Sequence, residues 1–227
     1  MTQSAYQFLY YLNQMTRSKY PNRILCYGDS VTWGRKPGTL ERFDSSKRYA
    51  QVLQKKLGAK YELIEEGLRG RMAFGENPYF KHRNGFEQFK PILLSNLPID
   101  LIIIFLGTND TNARAKRGAT AIARNLEKYI LITKQCANEF QMKTPKICFI
   151  APPIICETAL KKYTMFSGAS YKTIQLRDAI KKMGQDNKLY FFDGTIFSTS
   201  KHDGVHLDEK ENKLLGIELA KTIKRII

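Results

Sequence analysis

Three short segments of the chain carry the side chains that acyl-transfer chemistry requires. Ser30 lies in "ILCYGDSVTWG" (24–34), Asn109 in "GTND", and Asp203 and His206 in "DGVH". Together they supply a hydroxyl, an amide, a carboxylate and an imidazole, the groups used by enzymes with a serine nucleophile. Each segment alone is weak, because "GDS" and "GTN" are common in ordinary turns. Their combination in one chain predicts a serine hydrolase.

Each group has a chemical role in that prediction. Ser30 is the expected nucleophile and His206 the base that takes its proton. Asp203 precedes His206 by three residues, which lets its carboxylate reach Nδ1 and fix the tautomer of the ring. The donors expected for the oxyanion are the backbone N–H groups of Ser30 and Gly70 and the side-chain amide of Asn109.

Two alternatives concern the acidic residue and a metal ion. Asp193 also follows a predicted strand, but its distance in sequence from His206 makes it a better candidate for capping that strand end than for the triad. His202, Asp203 and His206 resemble a set of metal ligands, yet Gly204 disfavours the helix that would align them. We therefore expect Asp203 as the acid and no metal site.

Residues around the nucleophile and the oxyanion glycine are candidates for substrate contact. Asp29 and Trp33 are the predicted substrate-pocket residues, although packing of Trp33 in the core is equally compatible with its position. Arg69 and Arg71 flank Gly70. They are either solvated surface residues or a means of attracting an anionic leaving group.

Strands and helices are predicted to alternate along the chain. Five apolar runs rich in β-branched or aromatic residues predict strands at 23–27, 61–65, 100–106, 146–151 and 188–192. Helical patterns lie at 47–57, 118–140, 170–184 and 208–226, whereas 71–86 and 153–170 have the composition of loops. This alternation predicts an α/β fold with a parallel sheet covered by helices on both faces.

The predicted topology brings the chemical groups to one place. The carboxyl ends of parallel strands share one edge of the sheet, where ligands of open α/β folds bind. "GDS" follows the first predicted strand, "EEGLRGR" the second and "GTND" the third, and "DGVH" lies between the fifth strand and the last helix. All of them are therefore expected at that edge.

Composition excludes several other classes of protein. The 227 residues carry a formal charge of +16, but the basic residues are scattered, so we expect a basic surface and no nucleic-acid partner. The four cysteines form no CxxC pair, which favours reduced thiols. Neither a signal peptide nor a transmembrane segment is predicted, so a cytoplasmic location is expected, with non-classical secretion still open.

The four motifs together resemble the SGNH, or GDSL-type, hydrolase superfamily. The matching blocks are "GDSVTWG" (28–34), "EEGLRGR" (65–71), "LGTND" (106–110) and "DGVH" (203–206), and they look closest to the aryl-esterase/acyltransferase branch. The resemblance implies a flavodoxin-like, three-layer α/β/α fold with a five-stranded parallel sheet. It implies Ser30, Asp203 and His206 as the triad, with Gly70 and Asn109 beside Ser30 in the oxyanion hole; Gly67, which lies in the same block as Gly70, is the alternative to it.

The resemblance also implies a reaction and a domain organisation. A serine esterase without metal or organic cofactor is expected, acting on small acyl esters and passing the acyl group to water or an alcohol. A carbohydrate O-deacetylase or lysophospholipase remains an alternative, as does a basic nucleic-acid- or membrane-binding module with a vestigial site. Residues 1–22 are expected as an N-terminal extension to a single domain over 23–227, and a homo-oligomer is compatible with the sequence.

Overall fold

The computed structural model describes residues 20–160 and 163–227, and a five-stranded parallel sheet forms its centre. Its strands are β1 (Asn22–Gly28), β2 (Tyr61–Gly67), β3 (Leu101–Phe105), β4 (Lys146–Ile150) and β5 (Tyr190–Phe192). They are ordered β2-β1-β3-β4-β5, and every neighbouring pair is parallel. The predicted fold class is confirmed.

Helices cover both faces of the sheet. They are α1 (Ser30–Trp33), α2 (Tyr49–Leu57), α3 (Gly85–Asn96), α4 (Ala119–Glu139), α5 (Ala169–Asp186) and α6 (Glu209–Ile223). Helices α2 and α6 pack together on one face, and α3, α4 and α5 lie on the other. Short 3₁₀ turns occur in the connections, including Asn109–Thr111 and Gly194–Ile196.

Alternation of side chains along the strands builds two separate cores. Ile24 and Cys26 of β1 face α2 and α6, whereas Leu25 and Tyr27 face the three helices on the other side. All five residues of β3 are buried, as expected for a central strand covered on both faces. The continuous apolar run that predicted this strand therefore reflects two hydrophobic faces.

Helix α3 is the main element that sequence analysis missed. The predicted loop at 71–86 holds no helix or strand up to Asn84, as expected, but no element was predicted for residues 87–99, where the helix that begins at Gly85 continues through Pro91 to Asn96. A proline inside a helix removes one backbone hydrogen bond and argues against a helical pattern. Burial of Phe89 and Leu93 against the sheet offsets this local cost, so tertiary packing overrides the local signal.

The N-terminal part of the predicted domain organisation stays a prediction. Residues 1–19 and the pair 161–162 lie outside the described residues. Of the expected extension over 1–22, the structure therefore describes only residues 20–22. No helix within the described part of the chain is long and apolar enough to cross a membrane.

The end of β2 is fitted closely against the turn that carries Ser30. Gly67 pairs with Gly28 in the parallel register, and a Cβ added at Gly67 would lie 2.1 Å from the backbone nitrogen of Trp33. Because the conflicting atom belongs to the backbone of α1, no change of rotamer relieves it. This close packing accounts for the glycine at position 67. Gly70, three residues later, is then the better candidate for an N–H donor to the oxyanion.

We predict that Gly67→Ala destabilises the fold by at least about 2 kcal/mol, because the new methyl group overpacks a backbone contact. The matched control is Gly184→Ala in α5, where the nearest atoms to an added Cβ are 3.7 and 3.8 Å away. That control should stabilise the protein by about 0.5–1 kcal/mol through helix propensity. Equal denaturation midpoints for the two variants would contradict the close fit.

Candidate active site

Ser30 lies at the first position of α1, directly after β1. The carboxylate of Asp29 caps this one-turn helix by accepting a hydrogen bond from the Val31 N–H at 2.9 Å. Gly34 ends the helix in the left-handed conformation. The strand and both caps fix the backbone around Ser30, so its hydroxyl has a defined direction at the carboxyl edge of the sheet.

A continuous chain of hydrogen bonds joins Ser30, His206 and Asp203. The Ser30 Oγ lies 2.9 Å from His206 Nε2, and His206 Nδ1 lies 2.8 Å from Asp203 Oδ2. All three residues are buried. The structure therefore brings together the three side chains that sequence analysis selected as the triad, across 176 positions between Ser30 and His206.

Asp203 is held in its ionised form by its hydrogen-bond donors. Its Oδ2 also accepts the Gly38 N–H at 2.8 Å, and its Oδ1 accepts the N–H groups of Val205 at 3.0 Å and His206 at 2.9 Å. Burial acts to raise the pKa of this carboxyl, but the hydrogen bonds and the electrostatic attraction of the His206 ring outweigh it and lower the pKa to about 2. Asp203 is thus a carboxylate at neutral pH.

The ionised carboxylate determines the tautomer of His206. A carboxylate can only accept hydrogen bonds, so Nδ1 carries the proton and donates it to Asp203 Oδ2. The lone pair of Nε2 then points to Ser30 Oγ and can accept the hydroxyl proton. This arrangement can generate a serine nucleophile and return the proton to a leaving group.

The turn that contains His206 is closed by backbone hydrogen bonds. Ser200 N–H donates to the carbonyl of His206 at 2.8 Å, and Gly204 N–H donates to the carbonyl of Ser200 at 2.8 Å. Cys156 N–H, from the connection after β4, donates to the Gly204 carbonyl at 2.9 Å. These bonds hold His206 and Asp203 against the sheet edge without the help of a helix.

Gly70 occupies the third position of a tight turn after β2. The turn is closed by the Arg71 N–H, which donates to the Leu68 carbonyl at 3.1 Å, and Gly70 has φ +76°. This conformation favours glycine at the third position of a type II turn. Within the described residues, neither the Gly70 N–H nor the Ser30 N–H donates a hydrogen bond to the protein, so both remain available as donors.

Asn109 lies beside the nucleophile turn. Its side-chain Nδ2 donates to the Arg71 carbonyl at 3.0 Å and lies 3.5 Å from Asp29 Oδ2. The second distance is at the limit of a hydrogen bond, so one N–H of the amide is only loosely engaged. The first bond fixes the orientation of the amide, and the other N–H can serve an incoming oxygen.

Asp29 is buried and stabilises the turn that carries Ser30; its side chain is not exposed to a ligand. It is 1% exposed, and its carboxylate is engaged by the Val31 N–H and the Thr108 side chain. Burial raises the pKa of this carboxyl to about 6, against the opposing effects of the Val31 N–H and His206. The expectation that Asp29 contacts substrate receives no support from this geometry.

Arg71 differs from both sequence-based expectations. It is 3% exposed, and its guanidinium donates to the carbonyls of Gly28 at 2.9 Å and Glu66 at 2.6 Å. It also stacks on the ring of Tyr27 at 4.2 Å. Arg71 is therefore neither a solvated surface residue nor a group for attracting ligands; it joins the ends of β1 and β2 beneath the site.

Trp33 is half-buried, and its ring contacts two guanidinium groups. Arg69 lies 4.8 Å and Arg42 5.5 Å from the ring centroid. The ring is thus outside the two hydrophobic cores, which disfavours core packing as its role. Its place in an acyl pocket stays a prediction.

Two residues at the site were missed by sequence analysis. Tyr163 packs edge-on against His206 with 5.7 Å between ring centroids, and Gly38 donates its N–H to Asp203. Tyr163 falls in a stretch without periodicity. The "PG" dipeptide at Gly38 signals a turn, but no local pattern indicates a partner 165 residues away.

The contacts of Asp193 and His206 bear on the alternatives for the acid and for a metal ion. Asp193 caps the 3₁₀ turn Gly194–Ile196 through the Thr195 N–H at 2.9 Å, as expected from its place at a strand end. Both ring nitrogens of His206 are occupied by Asp203 and Ser30. In residues 20–160 and 163–227, no group of three His, Cys, Asp or Glu residues could hold a metal ion.

Comparisons with known proteins find similar proteins over most of the chain. A model of the GDSL-like lipase/acylhydrolase family matches residues 26–214. The solved native aryl esterase of M. smegmatis is 34% identical, with 91% of this chain and 100% of that chain covered and a TM-score of 0.86. A carbohydrate acetylesterase from Sinorhizobium meliloti is 31% identical, with the same coverage and TM-score. No curated protein sequence matches significantly.

We predict that Asp203→Asn lowers kcat for a p-nitrophenyl ester by about 10⁴-fold, because the amide no longer fixes the reactive tautomer of His206. The control is Asp193→Asn, which should keep kcat within about threefold and lose about 1 kcal/mol of stability with its weakened cap. Steady-state kinetics and thermal unfolding of both variants distinguish the expected catalytic role of Asp203 from the capping role of Asp193. A larger loss of kcat for Asp193→Asn would reverse the assignment.

Proposed function

Because this chain belongs to the GDSL-like lipase/acylhydrolase family, we propose that it hydrolyses small acyl esters, such as acetyl and aryl esters, through an acyl-enzyme on Ser30. The broader class, a carboxylic ester hydrolase, follows from the family and from its similarity to two esterases. The observation that carries the finer proposal is the hydrogen-bond chain from Ser30 through His206 to Asp203.

The first half of the reaction forms the acyl-enzyme. Ser30 Oγ attacks the carbonyl carbon of the ester while its proton moves to His206 Nε2. The tetrahedral intermediate then collapses, the bond to the alcohol oxygen breaks, and His206 returns the proton to that oxygen. Asp203 remains ionised and stabilises the imidazolium, which agrees with its lowered pKa.

The second half releases the acyl group. A water molecule, or an alcohol in the same position, gives its proton to His206 Nε2 and attacks the acyl carbon. The second tetrahedral intermediate collapses, the bond to Ser30 Oγ breaks, and His206 returns the proton to Ser30 Oγ, which restores the free enzyme. Hydrolysis and transfer to an alcohol therefore use the same residues, and the acceptor that reaches His206 decides the product. We include acyl transfer to alcohols in the proposal on this chemical ground.

The oxyanion of both intermediates is assigned to three donors. They are the backbone N–H groups of Ser30 and Gly70 and the side-chain amide of Asn109. The unengaged N–H groups and the fixed orientation of the amide support this assignment. Donors held in place before the reaction cost no reorganisation as the charge develops.

A second candidate within the same chemistry is removal of O-acetyl groups from carbohydrates. The 31% identity to a carbohydrate acetylesterase across nearly the whole chain favours it. The reaction steps are identical, and the two candidates differ in the alcohol that leaves. Comparison of acetylated sugars with aryl acetates as substrates distinguishes them.

The test of the nucleophile is hydrolysis of p-nitrophenyl esters from acetate to octanoate by the wild type and by Ser30→Ala. We expect the highest kcat/KM for the short acyl chains and a loss of about 10³-fold or more in kcat for the variant. A fluorophosphonate should add one adduct to the wild type, on Ser30. Undiminished turnover by Ser30→Ala would contradict the proposed mechanism.

The test of the oxyanion donor is Asn109→Ala. We expect kcat to fall by about 10²–10³-fold with a small change in KM, because the amide contacts an oxygen whose charge develops in the transition state. Asn112→Ala is a nearby control: its amide donates to the Asn109 carbonyl and its oxygen accepts the Ala115 N–H, so it supports the turn and not the reacting oxygen. A similar change in kcat for both variants would argue for a structural role of Asn109.

A further inference from the structure

Arginine side chains lie over two aromatic rings near the triad, those of Tyr163 and Trp33. Tyr163 packs edge-on against His206, and the Arg35 guanidinium lies over the Tyr163 ring at 5.6 Å. Arg69 lies over the ring of Trp33 at 4.8 Å, and Trp33 follows the nucleophile Ser30 by three residues. One guanidinium therefore lies on the tyrosine that contacts the base, and a second lies on the tryptophan of the nucleophile helix.

The basic residues of this region differ in their ion pairs. Arg42 pairs with Glu65 at 3.4 Å, and Lys36 pairs with Glu41 at 2.6 Å. No carboxylate in residues 20–160 or 163–227 forms an ion pair with Arg35 or Arg69. Within the described residues, the two guanidinium groups that lie over Tyr163 and Trp33 at 5.6 and 4.8 Å are thus without an ion-pair partner, whereas Arg42 and Lys36 are paired.

Arg35 and Arg69 are held in place while part of each guanidinium stays free. Arg35 Nε donates to the Thr39 carbonyl at 2.9 Å, and Arg69 Nη1 donates to the Leu40 carbonyl at 3.2 Å. Both acceptors lie in the loop whose Gly38 N–H is bonded to Asp203. The loop therefore fixes both side chains relative to the triad and leaves N–H groups available for a ligand.

The chemistry of the triad indicates which half of an ester substrate lies beside His206 and Tyr163. The alcohol oxygen must reach His206 Nε2 to be protonated as it leaves, so the alcohol half of the substrate lies beside His206. Tyr163 packs edge-on against that ring, Arg35 lies over Tyr163, and Arg69 is held by the same loop as Arg35. A group carried on the alcohol half is therefore the part of the substrate that these arginines can contact.

We propose that the alcohol half of the substrate carries an anionic group, a carboxylate, phosphate or sulfate, that Arg35 and Arg69 bind beside Tyr163. The inference rests on the proposed ester hydrolysis at Ser30. Guanidinium groups bind such anions through paired, charge-assisted hydrogen bonds, and a cleft with unpaired positive charge raises the local concentration of anionic substrates. Both arginines are half-buried, which limits solvent screening.

The test compares an anionic ester with a neutral ester of nearly the same shape: para-acetoxybenzoate and para-acetoxybenzamide. For the wild type, we expect kcat/KM to favour the anionic ester by about tenfold or more, and Arg35→Gln or Arg69→Gln to lower that ratio by about tenfold, the scale of a hydrogen bond to a charged group. Comparing ratios between variants cancels the difference in leaving-group reactivity. High salt should also lower the wild-type ratio.

The control is Lys36→Gln, which removes the same charge from the same loop but from a residue already paired with Glu41. It should leave the ratio unchanged. A ratio near one in the wild type, insensitive to salt and to both arginine variants, would overturn the inference while Ser30-dependent hydrolysis of the neutral ester still stood. A parallel loss for both esters in the arginine variants would assign the side chains to loop packing and also overturn it. If no ester is turned over in a Ser30-dependent way, the proposed function is contradicted, and this inference is contradicted with it.

Discussion

Four N–H groups converge on the carboxylate of Asp203, and the geometry of the site depends on that convergence. Two of them come from the backbone of its own turn, one from the His206 ring, and one from Gly38 in a loop far away in sequence. The buried carboxylate would be costly without these partners. With them it keeps its charge, holds the imidazole in the reactive tautomer and fixes the loop that contains Gly38 beside the triad.

The parallel sheet supplies the frame on which this cluster is assembled. β1 delivers Ser30 to its carboxyl end, β2 the turn with Gly70, and β3 the turn with Asn109. The buried Arg71 joins the ends of the first two strands through their carbonyls, and its own carbonyl orients Asn109. One residue thus connects the sheet, the nucleophile turn and the candidate oxyanion site, which explains why a side chain with such a hydrophilic group is buried there.

Charge is distributed unevenly around the site. Some basic residues of this region form ion pairs, as in the contacts of Glu65 with Arg42 and Arg48, whereas Arg35 and Arg69 are held by carbonyls and rings. The formal charge of +16 suggested only a basic surface, because composition does not say which charges are paired. The arrangement of ion pairs identifies the two arginines that can act on a ligand.

The sequence by itself determined the order of strands and helices and the set of chemical groups at the strand ends. Hydrophobic periodicity is a local property, and the geometry of parallel crossovers converts it into a common sheet edge. Helix α3 escaped this reasoning because Pro91 obscures its pattern and only burial against the sheet reveals it. The burial of Arg71, the contact of Tyr163 with His206 and the bond from Gly38 to Asp203 were decided by tertiary structure. Each joins segments whose relative position depends on the packing of the whole domain, which no local pattern records.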